Sequence, residues 1–390
     1  MVQTIMIPLF KVFMSKEVGD PLLQTLYSGM ITQGQKVEEF ESKLSELFEY
    51  PHILTLNSAT SGLTMAIRMI NDDFRCRGIA VEEDDQILTT PLTCMATNVP
   101  ILANNMKLQW VDVNKCTGLI DLDDLERKIT KKTKIIMFVH WGGYPVDLDR
   151  LSNILDRKEK ELGFRPQVIE DCAHAFLSEY KGRKLGTFGN YAVFSLQAIK
   201  HLTTGDGGLL FCPSKEKYEI AKLLRWYGID RAKRNYKGKD FRLEADVTDW
   251  GYKFHMNDIN ATIGLSNLPH MKENIKKIRE NALYYDTHIQ NSAIRIIQPY
   301  SEDYKSSYWL YTVFVEEKTK FIEYMKEKNI MVTQVHQRND IHTCFQEFRT
   351  QLPNLDYVEQ HIICIPVGWW ITEEERTHIV NTMNTFQPKQ

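Results

Sequence analysis

Val168-Ile169-Glu170-Asp171-Cys172-Ala173-His174 runs an apolar strand into a carboxylate, a small residue and an imidazole. In an open α/β sheet, ligands gather at the carboxyl ends of strands. A carboxylate buried at such an end needs a cationic partner. Taken alone, Asp171 reads equally as a turn or helix-cap residue.

The flanking sequence supplies the sheet. Strand-like runs occur at His52 to Leu56, Gln86 to Thr89, Lys107 to Val111, Lys134 to His140, Gln167 to Ile169, Tyr191 to Ser195 and Gly207 to Cys212. Several are continuous apolar stretches, as buried central strands are. Helix-length segments lie between them. Glu38 to Leu47 has Phe40, Leu44 and Leu47 at three- and four-residue spacing. Thr60 to Ile70, Leu122 to Ile129 and Leu148 to Leu162 follow. The alternation predicts an α/β domain with a mostly parallel central sheet flanked by helices. Beyond it, Asn257 to Tyr285 reads as a long helix, broken or bent near Pro269, and Trp309 to Val315 as a strand. The expected division is a large ligand-binding domain over 1–250 and a smaller α+β domain over 251–390.

The bulk numbers narrow the function classes. The chain has 390 residues, 43% hydrophobic and 25% charged, with a net charge of −3. That charge gives no global field for nucleic acid or an anionic membrane. Seven cysteines, none in a CxxC pair, fit a reduced compartment and give no support for a metal site. The start of the sequence lacks a basic leader, and no apolar run is long enough to span a bilayer. A soluble, cytoplasmic protein is expected.

Two further motifs accompany Asp171. Phe194-Ser195-Leu196-Gln197-Ala198-Ile199-Lys200 precedes Thr203-Thr204-Gly205-Asp206-Gly207-Gly208. Ser195 and Gln197 offer hydrogen bonds to an anion, and a lysine desolvated beyond them would have a lowered pKa and act as a nucleophile. An isolated Lys200 would be read as a surface residue ahead of a glycine turn. Asn57-Ser58-Ala59-Thr60-Ser61-Gly62-Leu63 ends a strand and opens a helix, where free backbone amides bind phosphate; a plain Ser cap fits the same residues.

In sequence order these are a phosphate cradle, an Asp at a strand end and a Lys 29 residues later. That order matches pyridoxal 5′-phosphate (PLP) enzymes of the aspartate-aminotransferase fold, fold type I. The chain resembles the DegT/StrS family of nucleotide-sugar aminotransferases. The likeness runs from Gly34-Gln35-Lys36-Val37-Glu38-Glu39-Phe40-Glu41 to Ile363-Cys364-Ile365-Pro366. It is most specific at Ile169 to Ala175, Tyr180 to Gly186, Phe194 to Gly208 and Gly251 to Asp258. The resemblance implies that Lys200 joins the cofactor through a Schiff base and moves the proton, that Asp171 pairs with the pyridine nitrogen, and that His174 lies beside the ring hydroxyl. It implies that the Ala59 and Thr60 amides and the Ser195 hydroxyl hold the phosphate, with Gln197 nearby. It further implies glutamate as amino donor, a nucleotide-linked keto sugar as acceptor, and a homodimer with shared active sites.

Two positions depart from the family pattern. Cys94, in Pro91-Leu92-Thr93-Cys94-Met95-Ala96-Thr97, falls where many members place an aromatic ring over PLP. Lys253 falls where many have an Asn donated by the neighbouring subunit; a lysine there is expected to reach the phosphate or the nucleotide's pyrophosphate across the dimer. The segment from Lys222 to Arg242 holds eight Lys or Arg and two Asp, including Arg231, Lys233, Arg234, Lys237, Lys239 and Arg242. A sugar-nucleotide site, a solvated loop and a nucleic-acid patch compete for it; Arg231 or a neighbour is expected to contact substrate. His336, in Val335-His336-Gln337-Arg338-Asn339-Asp340, is placed near the sugar by resemblance. The combination looks most like enzymes that aminate a dTDP-4-keto-6-deoxyhexose, as in viosamine synthesis. A 3-keto or GDP- or UDP-linked sugar, or a non-catalytic protein of the same fold, are the alternatives.

Overall fold

The computed structural model describes residues 6–231 and 246–388. Its strands are β1 (Ile53–Leu56), β2 (Gln86–Thr89), β3 (Lys107–Trp110), β4 (Thr133–Val139), β5 (Gln167–Asp171), β6 (Glu179–Tyr180), β7 (Arg183–Lys184), β8 (Tyr191–Ser195), β9 (Gly208–Phe211), β10 (Ile294–Ile296), β11 (Tyr304–Lys305), β12 (Tyr311–Val315) and β13 (Ile362–Ile365). Seven of them form the central sheet, in the order β1-β9-β8-β5-β4-β2-β3. The β3-β2-β4-β5-β8 run is parallel, and β9 is antiparallel to both β8 and β1. Every residue of β4 is buried, which explains why its apolar run shows no alternation.

Helices cover this sheet because their apolar residues recur at helical spacing. The helix Gln35–Phe48 buries Val37, Phe40, Leu44 and Phe48. The helix Ala59–Cys76 starts at the end of β1 and buries twelve of its eighteen residues. The helix Leu148–Leu162 begins at Asp147, whose carboxylate accepts from Arg150 N at 2.9 Å, and stops at Gly163, left-handed at φ 82°.

Two smaller sheets, β10-β12-β13 and β11-β6-β7, complete the fold. The sequence pattern from Asn257 to Tyr285 resolves into the helices Asp258–Asn267 and Met271–His288, with a 3₁₀ turn at Leu268–His270 containing Pro269. The apolar core divides within the second helix: Met271 and Ile275 join the large cluster, whereas Ile278, Ala282 and Tyr285 join a second cluster with β12, β13 and Ile7. The division of the core and the boundary expected at 250/251 are therefore different lines. Among the described residues, no helix is long and apolar enough to cross a membrane.

Candidate active site

The adjacent parallel strands β5 and β8 end in Asp171 and Ser195. Asp171 is 4% exposed. Its carboxylate accepts from the Thr97 hydroxyl at 2.7 Å and from Ala173 N at 3.0 Å. Thr97 in turn shares a 2.7 Å hydrogen bond with Thr93. Burial raises the Asp171 carboxyl above its ordinary pKa; the Thr97 and Ala173 hydrogen bonds and the charges of Lys200 and His140 oppose that rise.

Lys200 follows β8 by five residues. Burial drives its ammonium down to about 7, against the opposing pull of Asp171 and Cys94. Cys94 is the residue before the helix Met95–Ala103 and is partly buried. Asp171 and Cys94 thus both act on Lys200 in this structure.

His174 and His336 complete this neighbourhood. Their rings stack at 5.7 Å and 9° although 162 positions separate them. Gly142 N donates to His174 Nδ1 at 3.3 Å, which leaves the ring proton on Nε2. Gly142 and its neighbour Gly143 both have positive φ, and a Cβ on Gly143 would lie 2.5 Å from the His174 carbonyl. Burial and the charge of Lys200 hold both histidines neutral, His174 well below the usual range and His336 at about 4. His336 Nε2 is buried with no hydrogen-bond partner.

The phosphate candidates lie at the β1 end. Ser58 caps the helix Ala59–Cys76 by accepting from Ser61 N at 3.1 Å. Ala59 and Thr60 are its first two residues, so their amides have no intrahelical acceptor. Gly208 approaches closely: a Cβ there would strike Ser58 and lie 2.5 Å from Ala59 N. Ser195 Oγ accepts from Gln197 N at 3.3 Å, and Gln197 Oε1 from Ile199 N at 3.1 Å. Gln197 is exposed.

A second, cationic cluster centres on Trp226. Arg231 lies 4.8 Å and Lys253 4.9 Å from its ring, and His255 packs on it at 3.9 Å. Arg231 Nη2 also donates to the Gln33 carbonyl at 3.1 Å. Lys253 is exposed on a stretch that bridges Trp226, while the next residues pair with the end of β1: Asn57 N donates to the Phe254 carbonyl at 2.7 Å. Burial and the charges of Lys253, Arg225 and Arg231 bring His255 to about 4. Lys233, Arg234, Lys237, Lys239 and Arg242 lie outside the described residues.

Two groups escaped the sequence reading. Trp309 stacks on His174 at 4.0 Å and meets Lys200 Nζ at 3.3 Å; it was expected only as the start of a strand. His140 shares a 3.0 Å hydrogen bond with Glu170, directly beside Asp171, and accepts from Val146 N at 3.0 Å. Glu170 also accepts from Asn190 at 2.7 Å. Both His140 ring nitrogens are therefore occupied, although Cys172 stands close enough to complete a three-group cluster.

Pyridoxal phosphate fits these residues. An electron-withdrawing ring with a protonated nitrogen would supply the cation Asp171 needs, Lys200 is an amine near neutrality, and the Ala59 and Thr60 amides at the helix start would receive an anion. Fold type I enzymes that transfer amino groups with PLP are the class defined by this sheet order and these groups. The sequence profile of the DegT/DnrJ/EryC1/StrS aminotransferase family matches residues 14–384, and the chain belongs to that family. The crystal structure of AtS13 from Actinomadura melliaura is similar, with 46% identity, a TM-score of 0.92, and coverage of 99% of this chain and 100% of that one. Spr1654 from Streptococcus pneumoniae, solved in a PLP form, has 25% identity, a TM-score of 0.86 and coverage of 97% and 98%. UDP-4-amino-4,6-dideoxy-N-acetyl-beta-L-altrosamine transaminase of Campylobacter jejuni is 32% identical over 330 residues, 81% of this chain and 80% of that protein.

Proposed function

We propose that this enzyme moves an amino group from glutamate to a dTDP-4-keto-6-deoxyhexose, giving a 4-amino-4,6-dideoxy sugar of the viosamine type. The observation that carries amino transfer is Lys200, half-buried beside Asp171 and brought to about 7. PLP, when bound, withdraws electrons from the carbon next to the transferred nitrogen. The chain's own groups do the rest. Asp171 would hold the pyridine nitrogen charged. Lys200 Nζ takes up and returns the proton, and both of its forms are populated near neutral pH. His174 Nε2–H is a neutral donor for the ring oxygen. Ala59, Thr60 and Ser195 would hold the phosphate, with Gln197, whose N–H donates to Ser195 Oγ, nearby.

His336 supports a sugar contact, because its buried Nε2 lacks a partner and a sugar hydroxyl would provide one. Lys253 and Arg231 would hold the pyrophosphate, in the neighbouring subunit's site of a homodimer. The Campylobacter relative, whose name carries a 4-amino-4,6-dideoxy sugar, supports the 4-position; its UDP favours a second reading in which the nucleotide is UDP. Glutamate and dTDP rest on the family resemblance.

A panel of dTDP-, UDP- and GDP-linked 3-keto and 4-keto sugars, assayed with glutamate, tests the proposal. Turnover of the dTDP-4-keto sugar is expected. Activity confined to 3-keto sugars would overturn the positional choice, and preference for a UDP sugar would select the second reading.

A further inference from the structure

Trp309 occupies the junction of the N-terminal segment, the Lys200 loop and the histidine pair. Its indole N–H donates to the Ile199 carbonyl at 2.9 Å, immediately before Lys200. Phe10 stacks on it at 5.0 Å and 24°, and His174 at 4.0 Å and 26°. The side chain is 7% exposed. One polar tie and two stacked rings thus fix the indole. Lys200 Nζ lies 3.3 Å from the ring centroid. Among the described residues, no carboxylate comes within ion-pair distance of that ammonium, whereas ion pairs are abundant elsewhere on the chain.

We propose that Trp309 is a positioning residue: its indole face receives the Lys200 ammonium whenever that amine is not joined to the cofactor, and its N–H fixes the backbone just before the lysine. The proposal rests on the reading of Lys200 as the amine that is freed and rejoined. A released lysine has four rotatable bonds and must stay within reach of one carbon. A flat, anchored π surface attracts the charged form without tying it into a salt bridge, so the amine can still give up its proton. Asp171 and Cys94 act on Lys200 in the same direction as the ring. Burial acts against it, and the neighbouring His174, His336 and His201 contribute no charge, since each is held neutral.

The test uses full-length protein freed of cofactor. Trace acetylation with acetic anhydride across pH, with the Lys200 peptide quantified by mass spectrometry, gives the titration midpoint of the amine. Trp309→Leu is expected to lower that midpoint by roughly half to one pH unit. Trp309→Phe keeps the face and loses the N–H, so its midpoint should stay near the wild-type value. An unmoved midpoint in Trp309→Leu, or an equal shift in both variants, would overturn the ring's role. Should Trp309→Leu fail to fold, indole emission decides. The pH-dependent emission change of the wild type should vanish in both Lys200→Met and Trp309→Phe, and its persistence in both overturns the proposal. A Lys200→Ala enzyme that still transaminates would instead refute the reading of Lys200 itself.

Discussion

The surroundings of Lys200 and those of Trp226 both place cations on aromatic rings, yet they are opposite in character. Around Lys200 one amine meets a fixed indole in a buried pocket of neutral histidines. Around Trp226, Arg231 and Lys253 share a partly exposed indole at the chain's most basic segment. A buried lone amine is shifted toward neutrality and suits proton transfer. A partly buried guanidinium and an exposed ammonium side by side suit a polyanion such as a pyrophosphate. The difference separates a shielded amine on a fixed ring from a pair of cations on a partly exposed one.

Lys200→Ala would break the comparison most severely. Loss of the proton carrier should slow the half-reaction with the amino donor by at least about 10³-fold, followed as conversion between the PLP and PMP absorbance bands. The same burial implies the reverse effect on stability. The folded pKa of Lys200 is lowered from 10.5 to about 7, so the unfolded chain binds more protons between those values. Its penalty is complete below about pH 7 and fades as pH rises toward 10.5. Lys200→Met should therefore stabilise the cofactor-free protein at pH 7 by about 2–4 kcal/mol, with the gain shrinking by pH 10 in denaturant melts.

Asp171→Asn comes next. Thr97 could still donate to the amide oxygen, so the fold should survive while the rate falls about 10²-fold. A rate within twofold of wild type would remove Asp171 from the chemistry. On the Trp226 side, Lys253→Ala should raise KM for the sugar nucleotide about fivefold with little change in kcat, and added salt should shrink the difference. A fall in kcat without a change in KM would place Lys253 at the reacting atoms and erase the contrast between the two regions.

The smallest effect concerns acid stability. His336 titrates at about 4 in the folded chain and near 6.5 when unfolded, so stability falls as pH drops through that window. His336→Asn should lower the slope of unfolding free energy against pH by about one proton per molecule. An unchanged slope would show that His336 is not held neutral.

Strands were legible where chemistry and geometry are local. The reading matched β2 and β8 end to end, because apolar runs bounded by polar residues need no partner to be recognised. Asp171 and Lys200 could be singled out because the residues that flank them repeat a family order. Trp309 was not. Its aromatic neighbours made it look like strand, but Tyr308 has φ 47° and β12 begins only at Tyr311. Its meaning lies in a hydrogen bond to a residue 110 positions away, which no periodicity encodes. The His174–His336 stack and the sharing of Trp226 by Arg231 and Lys253 are likewise products of folding. His140 was hidden for another reason: it reads as the last residue of an apolar run, and only the pairing of β4 with β5 brings it to Glu170.

The close approach of Gly208 to Ser58 and Ala59 also sets an order of events in time. The start of the helix and the strand that backs it are about 150 positions apart, and the peptide after β1 is further tied to Phe254. A growing chain that has just made Asp171 has the acidic end of the pocket but neither the lysine nor the backing strand. Contacts this distant close late and slowly. The helix start therefore gains its backing only in a polypeptide already synthesised to about two thirds of its length, and a phosphate site built on it could not be complete before then.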